Sequence, residues 1–175
     1  MIFPDAIEYY NEEQIVLDEY GNPRQYYKGS AGDETRFNLT WNGNLLDSAE
    51  TTDGKTKYKY IYDSNGLRTK KIIYSVTNPN STNETLQVEE VLDYIWDEDK
   101  VAGYNLYVFN DGEPITINAK ILYDETDSPI GMKYCSSGFG EDETVDGESV
   151  FLPDNDIFCF VKDRQGNIKA IYSEK

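Results

Sequence analysis

Between Tyr58 and Lys71 the chain reads YKYIYDSNGLRTKK, and no other stretch narrows the choice of fold as much. Tyr58, Tyr60 and Tyr62 fall on every second residue, with Lys59 and Ile61 between them. A period of two places alternate side chains on opposite faces of an extended strand. Asp63-Ser64-Asn65-Gly66 follows with turn chemistry: an Asp carboxylate can accept hydrogen bonds from its own backbone two residues on, and Gly66 tolerates positive φ. Leu67 to Tyr74 resumes as a second strand, so the stretch is a β-hairpin. A lone hairpin is marginal in water, and this one requires neighbours.

The rest of the chain supplies them. Arg36 to Trp41 alternates, and Asn42-Gly43 is a strong two-residue hairpin signal. Thr52 to Lys55 reads as a turn into the Tyr-rich strand. Thr85 to Trp96 is a long strand turned by Asp97-Glu98-Asp99-Lys100, and Val101 to Phe109 is its return. Ile115 to Tyr123, Pro129 to Tyr134, Asp156 to Val161 and Asn167 to Tyr172 complete the strand series. Residues 1 to 17 are ambiguous: Asp5 to Tyr10 reads as either one helical turn or an entering strand, and Ile15-Val16-Leu17 is a short apolar run. No helix of three or more turns is required. The 15 Tyr among 175 residues agree with this reading, because a Tyr ring packs on a pleated surface while its hydroxyl reaches water or a partner. The expectation is an all-β chain of consecutive antiparallel β-hairpins forming a curved, twisted sheet, one domain over residues 1–175.

Charge and composition exclude several functions. With 33 Asp and Glu against 16 Lys and Arg, the net charge is −17, which repels phosphate backbones and argues against nucleic acid. The absence of His removes Ser-His-Asp and Cys-His catalysis and His-ligated zinc. Cys135 and Cys159 are too few for a disulfide framework; two free thiols are the simpler state, and a bond requires that their strands be neighbours. No stretch reaches the ~18 apolar residues of a membrane span, and no export signal is recognised at the N-terminus.

Carboxylates cluster at Glu89/Glu90, Asp97/Asp99, Asp124/Asp127 and Glu141/Asp142/Glu143. A glycosidase needs two acids across a cleft with one pKa raised; acids in exposed turns stay ionised, so no catalytic residue is assigned. Glu141 to Ser149 lacks the ordered ligand spacing of a calcium loop, and no metal or cofactor is assigned. Trp41, Tyr58, Tyr60, Tyr94 and Trp96 are candidates for stacking on sugar rings, against the alternative that they pack a sheet face.

The turns repeat. Tyr62-Asp63-x-x-Gly66 aligns with Tyr123-Asp124, there with one extra residue before Ile130 and Gly131, with Asp163-x-x-Gly166, and more loosely with Trp96-Asp97 and with Asp18 to Pro23. In order, the segments YKYIYDSNGLRTKK, VLDYIWDEDKVAGY, LYDETDSPIGMKY and FVKDRQGNIKAIYSE resemble the YD repeats of Rhs-type proteins, in particular the Rhs repeat-associated core. The match covers residues 56–175, with weaker repeats in 1–55. The resemblance implies a non-catalytic structural segment of a bacterial surface or secreted protein, adding β-hairpins to a shell or stalk. Its implied partners are neighbouring YD repeats of the parent chain and an enclosed toxin domain, and its implied location is extracellular or at the cell surface. A carbohydrate-binding β module, meeting a surface glycan, is the alternative. The family's self-cleavage motif has no counterpart in these residues.

Overall fold

A computed structural model describes residues 9–10, 13–28, 35–109, 114–137, 144–145, 148–149, 157–163 and 166–173. The chain is all-β, and among the described residues there is no helix. The strands are β1 (Tyr9–Tyr10), β2 (Glu13–Gln14), β3 (Gln25–Lys28), β4 (Thr35–Asn42), β5 (Leu45–Thr51), β6 (Thr56–Tyr62), β7 (Arg68–Thr77) and β8 (Thr85–Asp97). They continue as β9 (Lys100–Val108), β10 (Ile115–Tyr123), β11 (Pro129–Ser137), β12 (Thr144–Val145), β13 (Glu148–Ser149), β14 (Ile157–Lys162) and β15 (Ile168–Ser173). Two compact units divide the chain, Met1–Glu89 and Glu90–Lys175, with the boundary inside β8.

In the first unit, β3 pairs with β4, β4 with β5, β5 with β6 and β6 with β7, all antiparallel. In the second, β8 pairs with β9, β9 with β10, β10 with β11, β11 with β14 and β14 with β15, again antiparallel. Of the first 17 residues, the described ones contribute the small β1–β2 ladder and an isolated bridge between Leu17 and Pro23; most of the segment read as a helical turn or an entering strand lies outside the described residues. The acidic loop with Glu141, Asp142 and Glu143 lies outside the described residues, apart from the short β12–β13 pair.

Little of this structure is core. Among the described residues the buried hydrophobics are Ala49, Val76, Ile115, Ile117 and Ala119, and no large side chain is fully buried. Ile168, Ile171 and Tyr172 on the last strand are 46%, 52% and 52% exposed. Stability therefore rests on ladder hydrogen bonds and cross-strand pairs more than on an interior.

The register separates the cysteines. Cys159 stands opposite Gly131, four residues from Cys135 along β11. At ~3.3 Å per residue that is about 13 Å of strand, well past the ~7 Å limit between Cα atoms of a disulfide. Their strands are neighbours, yet the backbone does not bring them together, and Cys159 is free.

Candidate functional site

The repeated turn is real and has one bonding scheme. In Asp63–Leu67, the Asp63 amide donates to the Leu67 carbonyl at 2.9 Å and the Gly66 amide donates to the Asp63 carbonyl at 3.2 Å. The Asp63 carboxylate accepts from the amides of Asn65 and Leu67, both at 2.9 Å. Asp124–Ser128 repeats the set, with backbone bonds of 3.0 and 3.1 Å and carboxylate bonds from the Thr126 and Ser128 amides at 2.8 and 3.0 Å. Asp163–Asn167 keeps the two backbone bonds at 2.9 and 3.1 Å and the bond from the Asn167 amide at 3.0 Å. Asp18–Asn22 has the whole scheme, with amide bonds from Tyr20 and Asn22 at 2.9 Å. The fourth residue needs a positive φ: 88° at Gly21, 81° at Gly66, 61° at Asp127 and 86° at Gly166.

This geometry corrects two alignments. Asp127, not a later Gly, holds the fourth position, so the turn after Tyr123 contains no extra residue: Tyr62 pairs with Arg68 and Tyr123 pairs with Pro129 across equal loops. The sequence pattern conceals this because an Asp stands where Gly is expected, although Asp tolerates the left-handed region better than most residues. Trp96-Asp97 does not belong to this class. Asp97 pairs with Lys100 across the two residues Glu98-Asp99, as Asn42 pairs with Leu45 across Gly43-Asn44. The loop after Trp41 thus sits one residue later than Asn42-Gly43 indicated. Both loops have a positive φ at their first residue, 56° at Glu98 and 59° at Gly43, and both Trp residues follow a β-bulge.

Two turn types thus join the hairpins of each unit, alternating in the first, and side chains tie neighbouring turns together. In the first unit, the Trp41 indole N–H donates to the Pro23 carbonyl at 2.7 Å, and the Asn22 side-chain amide donates to the Gly43 carbonyl at 2.9 Å. The Tyr62 hydroxyl then donates to the Leu46 carbonyl at 2.9 Å. In the second unit the Tyr123 hydroxyl donates to the Val101 carbonyl at 2.8 Å, and the Lys100 ammonium meets Asp127 at 2.6 Å. Leu46 and Val101 are the cross-strand partners of Trp41 and Trp96. The signature residues Tyr62, Asp63, Gly66, Tyr123, Asp124, Asp163 and Gly166 thus act on backbone groups. Gly131 lies beside the bulge in β10–β11, where an added Cβ would stand 2.5 Å from the Phe158 carbonyl oxygen.

The bonds leave an electrostatic trace. The Thr126 hydroxyl, then the Ser128 and Thr126 amides, hold the Asp124 carboxyl below its usual range. Desolvation raises Asp18, but the Asn22 side chain and the Asn22 and Tyr20 amides outweigh it and keep the carboxyl low. Asp127 raises Lys100. These acids are committed to turns and ion pairs. Among the described residues no three His, Cys, Asp or Glu converge as metal ligands.

The five candidate stacking aromatics divide between the two units. Trp41, Tyr58 and Tyr60 line a groove of about 700 Å³ in the first unit, together with Tyr26, Phe37 and Leu39. Tyr94 and Trp96 lie on β8 in the second unit, where Tyr94 pairs with Tyr104. Burial, then the neighbouring Tyr134, push the Tyr104 hydroxyl up to about 12. In the groove the Phe37 and Tyr58 rings meet edge to face at 5.8 Å and the Lys71 ammonium lies 5.2 Å from the Tyr58 centroid; Arg68, which is not part of the groove wall, lies 4.4 Å from the Tyr60 centroid. Neither protein-family models nor curated proteins give a match to this chain.

Proposed function

We propose that the chain is a non-catalytic structural segment of a bacterial Rhs/YD-repeat protein, surface-exposed or secreted, contributing β-hairpins to a toxin-enclosing shell or stalk. The observation that carries the reading is the Asp-anchored five-residue turn, built four times with the same backbone bonds at Asp18, Asp63, Asp124 and Asp163. Every side chain of that signature is spent on positioning backbone, which is the work of a wall element. The scarcity of buried side chains supports the same role, since a panel whose faces meet other parts of a large assembly needs no interior of its own. Electron microscopy of the parent polypeptide tests it. The expected image is a walled particle with these hairpins in its wall; an isolated module on a flexible tether rejects the reading.

One observation favours the second reading, a carbohydrate-binding β module: Trp41, Tyr58 and Tyr60 share a groove. The Trp41 indole N–H is already used on Pro23, and Lys71 and Arg68 already stand at the two Tyr rings. A glycan array probed with the wild type and with Trp41→Ala decides it: hits lost in the variant support sugar binding, and a blank array removes it.

A further inference from the structure

The groove of the first unit differs from the rest of the molecule in its charge. The chain carries 33 acidic residues, yet among the described residues no carboxylate lines this cleft, and the cation on its wall is Lys71. The Lys71 ammonium rests against the Tyr58 ring at 5.2 Å and makes no ion pair among the described residues. By contrast Lys57 and Lys59, on the same hairpin, are paired with Glu84 and Asp47 at 2.5 Å. The alternation of β6 and β7 explains the difference. Lys71 stands opposite Tyr60 on the aromatic face, and Lys57 and Lys59 occupy the intervening positions that meet the acids.

The remaining wall is mostly apolar and aromatic, with Phe37, Leu39, Trp41, Leu46 and the Tyr rings; its polar side chain Gln25 already donates to Asn38 and accepts from the Tyr27 hydroxyl, and the Trp41 N–H is used on Pro23. A cleft of about 700 Å³ lies within the ~300–1,000 Å³ range of small-ligand sites. An apolar wall with one ammonium not neutralised by a carboxylate complements a molecule with an apolar body and one anionic head. We propose that this groove is a binding site for a small amphiphilic carboxylate, its chain or ring lying along Phe37, Leu39 and Trp41 and its carboxylate meeting Lys71. Cation–π contact with Tyr58 holds the ammonium at the groove while leaving its charge unneutralised. The proposal does not depend on the shell reading.

Isothermal titration calorimetry on the whole chain tests it, with decanoate and decyltrimethylammonium as probes below their micelle concentrations and an oligoglucuronate as a third. The net charge of −17 favours the cation, so a preference for decanoate must come from the local site. The expected result is saturable one-to-one binding of decanoate, at least tenfold tighter than the cationic probe. Lys71→Met should erase that preference and Lys71→Arg should keep it, with circular dichroism showing all three proteins folded. Should Lys71→Met fail to fold, Leu39→Ala substitutes for it, with an expected loss of decanoate affinity of about tenfold. Equal or tighter binding of the cation, binding of oligoglucuronate alone, no saturable binding, an unchanged preference in Lys71→Met, or, where Leu39→Ala replaces it, an unchanged decanoate affinity overturns the proposal.

Discussion

Two positions show what a single side chain costs this fold. Glu98 holds φ of 56° at the first residue of a two-residue loop, where Gly43 stands in the equivalent loop of the first unit. A residue with a Cβ is strained there, so Glu98→Gly is expected to stabilise by about 1 kcal/mol, read as a rise in the thermal midpoint. Gly131 is the opposite case. Its added Cβ would meet a main-chain oxygen of β14 at 2.5 Å, and backbone cannot swing aside as a side chain can. Gly131→Ala should cost roughly 1–3 kcal/mol by overpacking, measured as a lower denaturant midpoint. Gly103 faces the same limit, because a Cβ there would stand 2.3 Å from the Ala119 carbonyl oxygen.

The turn is the element that recurs, and its parts are separable by experiment. The Tyr123 hydroxyl ties the Asp124 turn to the preceding hairpin through one bond to Val101. Tyr123→Phe keeps the ring and leaves that carbonyl without its partner, so a loss of about 1 kcal/mol is expected; no change in urea midpoint would show the tie to be idle. Asp124 gives a pH test. Its folded pKa lies below the ordinary carboxylate value, so its contribution is fully present above that value and is lost as pH falls through the folded pKa. Asp124→Asn keeps an acceptor oxygen without the charge. The stability gap between wild type and Asp124→Asn should be widest near pH ~6 and close towards pH ~3, followed by guanidinium unfolding at each pH. A gap that does not vary with pH would rule the charge out.

Within each unit the sheet pairings join strands adjacent in sequence, except that β11 pairs with β14 past the small β12–β13 pair, so stability is close to a sum of neighbour terms. Few side chains leave water completely on folding: among the described residues the buried hydrophobics are Ala, Val and Ile, and most of the strand residues keep partial exposure. The heat-capacity change of unfolding follows apolar area exposed. Calorimetry should return less than the ~12 cal/mol/K per residue usual for globular proteins; a normal value would mean a covered core.

The residues themselves determined the all-β class, the hairpin order and the Asp-centred turns, because alternation and turn chemistry are local and act over five or six residues. Asp127 escaped that reading because a left-handed backbone can be met by Asp as well as Gly, and the choice shows only in φ. The match between the Trp41 and Trp96 hairpins, the turn-to-turn bonds and the separation of Cys135 from Cys159 depend on register between strands. So does the grouping of Trp41, Tyr58 and Tyr60 about one groove. Alternation along one strand tells which side a ring takes, while its neighbours on that side come from the strands laid beside it.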